Sequence, residues 1–183
     1  MQSAPLPFER RVSLAGRASF ERRATLSLAA LYTFRMFGLF LLLPVLALYG
    51  TQYEHHTPFL LGVALGAYGA SQALLQIPFG MLSDRIGRKP IILIGLIIFI
   101  LGSVIAAQAT TVYGLIIGRL LQGGGAISGV IMALLTDLTS DESRTKAMAT
   151  IGASIGVSFS VAMTVGPLVA NWGGVGAIFW ITA

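Results

Sequence analysis

Apolar residues in this chain come in long runs, not at strand or surface-helix spacing. A helix needs about 20 consecutive apolar residues to cross about 30 Å of hydrocarbon. Five runs meet that length: residues 26–49, 58–82, 90–109, 112–136 and 146–170. A sixth begins near Gly174 and extends to Ala183. The pattern predicts an all-α polytopic membrane protein. The interruptions are short: Thr51 to Thr57, Ser83 to Lys89, Thr110 and Thr111, Leu138 to Thr145, and Asn171 to Gly173. Pro58 and Pro90 stand at expected helix starts, where a missing N–H costs least. At about 1.5 Å per residue the sixth run reaches under half the bilayer. The sixth helix is therefore expected to be truncated and the chain to be part of a longer protein.

Composition agrees. Of 183 residues, 55% are hydrophobic and 10% charged, against about 25% charged in soluble domains. There is no cysteine, which excludes disulfides and Cys-based metal sites. No phosphate-binding Gly-x-x-x-x-Gly-Lys-Ser/Thr occurs, and no nucleophile–base set is present, so an enzyme is not expected. His55 and His56 lie in a loop and are read as solvated, with no metal site expected.

The net charge of +5 follows topology and is not a nucleic-acid patch. Arg10, Arg11, Arg17, Arg22 and Arg23 precede the first run; Arg85, Arg88 and Lys89 fill the second break; Arg144 and Lys146 flank the fourth. These are ten of the twelve Lys and Arg residues, all on one side. By the positive-inside rule that side, with the N-terminus, is cytoplasmic. Residues 1–24 read as a basic cytoplasmic tail and 25–183 as the transmembrane region. Phe-Glu-Arg-Arg occurs at 8–11 and 20–23, and residues 1–20 are expected to be disordered. The first run is too long, and followed by too many others, to be a cleaved signal peptide.

Within the spans only Arg35 and Arg119 are charged. Each costs about 2.5–3.5 kcal/mol to insert at a helix centre, which usually marks a water-filled cavity or an internal partner. Arg35 lies just to the cytoplasmic side of its span's centre and Arg119 just to the periplasmic side. That reflection is expected of inverted three-helix repeats. Both are candidate cavity residues, the alternative being arginines that pair with backbone carbonyls and hold the bundle. Gln122 shares a helix face with Arg119, and Gln72 and Gln76 share another. They can bind a polar substrate or join helices by hydrogen bonds. Gly62/Gly66, Gly125/Gly129 and Gly152/Gly156 have the spacing that lets helices approach closely. Gly123-Gly124-Gly125 is not a phosphate loop, since no strand precedes it. Gly156, Gly166 and Pro167 make the fifth span bendable, the proline removing a helix hydrogen bond.

The second break carries the densest chemistry: Gly80-Met81-Leu82-Ser83-Asp84-Arg85-Ile86-Gly87-Arg88-Lys89. It resembles the loop between spans 2 and 3 of the major facilitator superfamily, Gly-x-Leu-x-Asp-Arg-x-Gly-Arg-Lys. Arg119-Leu120-Leu121-Gln122-Gly123-Gly124-Gly125 resembles that family's span-4 motif, and Gly166-Pro167 the core of its span-5 antiporter motif. The likeness runs from about Phe20 to the end and points to the bacterial inner-membrane branch of drug:proton antiporters. The last glycine of the span-5 motif is Ala170 here, and the first span lacks an acidic residue.

The resemblance implies the N-terminal six-helix half of a fold built from two inverted three-helix repeats. It implies that Asp84 faces the start of a helix in the other half, where a carboxylate is stabilised. Arg88 would tie Asp84 to Asp137, Gly80 would admit a partner helix, and Gly87 would permit the turn. The implied function is secondary transport by alternating access: proton-coupled efflux of small molecules, with the proton gradient as energy source and no cofactor. The implied partners are the lipid bilayer, a small-molecule substrate and the C-terminal half, with no nucleic acid. The competing expectations are a facilitator or importer of sugars, amino acids or organic ions, and a non-transporting scaffold or inert product.

Overall fold

The computed structural model describes residues 8–183, with side chains from Ser19 onward. Six α-helices are formed among the described residues, with a short 3-10 turn at Gly50–Gln52: α1 (Phe8–Tyr49), α2 (Pro58–Ile86), α3 (Arg88–Gln108), α4 (Val112–Gly124), α5 (Ser128–Leu138) and α6 (Asp141–Thr182). Among the described residues, five stretches are long and apolar enough to cross a membrane: Ser19–Gln52, Pro58–Ile86, Arg88–Gln108, Val112–Leu138 and Asp141–Thr182.

Local chemistry sets the helix ends. Pro58 opens α2, and the Thr57 hydroxyl accepts from the Leu60 N–H at 3.1 Å. The Thr111 hydroxyl accepts from the Gly114 N–H at 3.2 Å and opens α4. These caps satisfy backbone donors that a helix start leaves unpaired. Between them, Glu54 and Thr111 pair as an isolated bridge, which joins the 53–57 loop to the α3–α4 turn. Tyr53 is buried there, and burial pushes its phenol up to about 12.

Four expectations change. Residues 8–20 are helical, continuing α1, and not disordered; residues 1–7 lie outside the described residues. At 42 residues, α1 is about 63 Å long, twice the hydrocarbon thickness. The break expected from Ser83 to Lys89 shrinks to Gly87, whose φ of +102° and ψ of 153° favour glycine. Gly87→Ala should therefore cost about 1–3 kcal/mol. Thermal melting in detergent reads this, and an unchanged midpoint would mean the junction relaxes freely. The fourth span is not one helix. It breaks at 125–127, beginning at the last of three consecutive glycines, the poorest helix formers besides proline.

The fourth change concerns the end of the chain. Gly166 packs on the Leu41 carbonyl and Thr182 packs on Gly38, so both sit within one turn of α1. A straight helix would hold positions 166 and 182 about 24 Å apart. The backbone turns back instead at Gly173 and Gly174, the latter at φ +71°. The last part of α6 is thus the start of the sixth span, with its turn at 173–174 where the sequence suggested 171–173.

Two apolar cores result. One, around Leu41, Val45, Leu115, Ile178 and Phe179, lies toward the 50–57 loop. The other, around Ile91, Ile127, Ile131, Leu135 and Ile151, lies toward the basic end. Between them runs a polar belt.

Candidate functional site: a buried arginine pair and a charged helix junction

The belt is built on Tyr68. Arg35 from α1 donates from Nε to the Tyr68 hydroxyl at 3.2 Å and lies 5.9 Å from its ring centre. Arg119 from α4 lies 4.6 Å from the same centre. A guanidinium on a desolvated ring face is worth about 2 kcal/mol. Arg35 also donates to the Gly125 carbonyl and, at 3.4 Å, to Gln72 Oε1. The Gly125 carbonyl lies in the break of the fourth span. Backbone freed from a helix at membrane depth is tolerated where protein groups satisfy it again, and Arg35 does so here.

Arg119 donates to Gln122 Oε1 at 3.0 Å and to the Ala64 carbonyl at 3.4 Å. Gln122 donates to the Ser103 hydroxyl at 2.7 Å, and Ser103 donates to the Phe99 carbonyl at 2.9 Å. The chain of donors thus joins α1, α2, α3 and α4. Arg35, Arg119 and Gln122 are only 3%, 2% and 2% exposed. In this structure the three are packed among protein groups inside the bundle. A buried cation needs donors matched to acceptors; carbonyls, amides and an aromatic ring supply most of them, while Arg119 Nη2 is buried with no hydrogen-bond partner. Gln72 and Gln76 both meet the Ser128 hydroxyl, at 3.3 and 3.4 Å, linking α2 to α5. Gln76 remains exposed and Gln72 half-buried.

Tyr68→Phe should cost about 1–3 kcal/mol, because it leaves Arg35 Nε buried and unpaired. Tyr68→Leu should cost more by removing both ring contacts. Melting midpoints of the two variants test this, and equal midpoints would deny the ring contacts a role.

At the basic end, Arg88 opens α3 across from the last turn of α2. Its guanidinium pairs with Asp84, donates to Asp137 on α5 through Nε at 3.2 Å, and donates to the Ser83 hydroxyl at 2.7 Å. The expected tie between Asp84 and Asp137 is formed. Asp84 is 62% exposed and Asp137 53%. Arg85 and Lys89 point outward and are exposed. A side chain at Gly80 would meet nothing within 4 Å.

The small-residue spacings divide. Gly125 packs against the Gly95 carbonyl, as the spacing suggested. Gly62 and Gly66 on α2, and Gly152 and Gly156 on α6, face nothing within 4 Å. The reading of these two pairs as packed contacts is corrected: they stand on open faces. Gly166 is packed against α1, and Pro167 follows it inside α6. The sequence reading missed Ser83, Tyr68, Ser103 and Ser128, whose only signal is a polar atom on an apolar helix.

The sequence profile of the Major Facilitator Superfamily matches residues 28–183. The chain belongs to the major facilitator superfamily. It is 52% identical over 163 residues to the inner membrane transport protein YajR of Escherichia coli, covering 89% of this chain and 36% of that one. It is 47% identical over 163 residues to the uncharacterized transporter BU466 of Buchnera aphidicola, covering 89% and 42%. It is 36% identical over 88 residues to the multidrug resistance protein MdtL of Klebsiella pneumoniae, covering 47% and 22%. The chain thus spans 36% to 42% of the length of the first two relatives. Family membership makes it a multi-pass membrane protein, all-α, with the fold of the superfamily's N-terminal half.

Proposed function

We propose that this chain is one half of a secondary transporter working by alternating access, driving proton-coupled efflux of small molecules. The observation that carries the reading is the Arg88 junction. One guanidinium ties the end of α2 to the end of α5 and leaves Asp84 exposed toward a partner. An exposed carboxylate on a glycine-flanked helix end suits a latch against a helix N-terminus of the other half. The open glycine faces of α2 and α6 suit a partner half that slides. YajR is named an inner membrane transport protein and MdtL a multidrug resistance protein, and the relatives' additional length leaves room for a second half.

The basic end is the cytoplasmic one in this reading, within a bacterial inner membrane. Gln76 is the best-placed candidate to reach substrate. With no carboxylate deep in these spans, a coupled proton would be carried by Asp84, Asp137 or a residue of the other half. The test is efflux of amphipathic dyes from cells expressing the complete protein. Dye accumulation should fall with a proton gradient and recover with a protonophore. Accumulation insensitive to the protonophore would overturn the coupling.

A further inference from the structure

Between α1 and α6 at the basic end lies a cavity of about 320 Å³, lined among others by Arg22, Leu26, Lys146, Ala147 and Thr150. Its rim and floor differ in chemistry. Arg22 and Lys146 form no ion pair among the described residues. Glu21, which also lines the cavity, accepts from the Ser140 and Ser143 hydroxyls at 3.1 and 2.7 Å. Glu21 Oε2 is thus engaged at the start of α6, and the two cations Arg22 and Lys146 outnumber this carboxylate on the rim. Leu26 and Ala147 supply an apolar floor. Beyond Arg22, α1 continues with exposed Leu26, Ala30 and Phe34 at four-residue steps, a greasy track leading from the charge.

Depth fixes what can reach it. Leu48 on α1 and Trp172 on α6 are exposed at the opposite end, 63% and 89%. At 1.5 Å per residue, Arg22 lies about 39 Å from Leu48, and Lys146 about 39 Å from Trp172. The hydrocarbon is about 30 Å thick and the bilayer with headgroups about 40–45 Å. Both cations therefore sit at headgroup level, with apolar surface on the hydrocarbon side. Basic pockets between spanning helices at this level bind anionic headgroups.

We propose that this groove seats one anionic phospholipid, its phosphate between Arg22 and Lys146 and an acyl chain along Leu26, Ala30 and Phe34. The inference is independent of the transport reading. The test is native mass spectrometry of the complete protein, extracted from bilayers of phosphatidylglycerol and phosphatidylcholine. Wild type should retain one phosphatidylglycerol in preference to phosphatidylcholine. Arg22→Gln with Lys146→Gln should weaken retention about thirtyfold, the scale for two basic side chains at an anionic surface. Thr150→Trp alters an exposed wall position and keeps both cations; it should fill the groove and lose the lipid as well, which covers the case of a misfolded double variant. Displacement by inorganic phosphate would show a site for a soluble anion and overturn the lipid assignment. Equal retention by wild type and variants, or no preference in wild type because another part of the protein covers the groove, would also overturn it.

Discussion

Gly102→Leu is expected to leave no folded protein in the membrane. A side chain at position 102 would meet the Gly118 carbonyl oxygen at 2.7 Å and the backbone at Gln122 closer still. Backbone cannot swing aside as a side chain can, so α3 and α4 must separate. That separation breaks the Gln122–Ser103 bond at 2.7 Å and loosens Arg119. Overpacking typically costs 1–3 kcal/mol or more, and a severed buried network adds to it. The measurement is the monodisperse fraction on size-exclusion chromatography after mild detergent extraction. The control is Gly152→Leu, where nothing lies within 4 Å; it should extract normally. Equal recovery of both would mean the α3–α4 contact is not the tight one described.

Asp84→Asn is expected to keep insertion and folding while lowering transport about tenfold or more. The change removes a charge that is 62% exposed, so the bundle loses little. It also removes one of the two anions paired with Arg88 and, on the proposed reading, the anion facing a helix N-terminus. A loss of roughly 1.4 kcal/mol from one state shifts an equilibrium about tenfold, within the reach of a well-placed charge at a helix end plus an ion pair. Arg88→Gln should act in the same direction, since it frees Asp84 and Asp137 together. Flux in proteoliposomes made from the complete protein checks both. Near-normal flux in Asp84→Asn would remove the latch.

How far the sequence could be read follows from which physical rule was at work. Span number and order were legible because hydrocarbon thickness dictates run length, and the Arg88–Asp137 tie was legible through the family motif. The break at 125–127 was hidden because glycine keeps a segment apolar while weakening its helix. The reach of α1 through residues 8–20 was hidden because a charged segment looks like a tail until it has a helix to continue. Arg35 and Arg119 were found as costly, but cost alone does not say whether water or protein compensates it. The deciding partner was Tyr68, an aromatic residue among many apolar ones. Gly62 and Gly152 carried the right spacing, and only the placement of neighbours shows that their faces are open.

The central claim is that the open faces of α2 and α6 are the moving surfaces of an alternating-access transporter. Gly62 lies toward the 50–57 loop and Gly152 toward the basic end. The direct measurement is labelling of single cysteines at positions 62 and 152 in the complete protein, with the latch intact and with Asp84→Asn. The account predicts opposite responses: releasing the latch raises labelling at 152 and lowers it at 62. Labelling that stays constant, or that rises at both positions together, would contradict it.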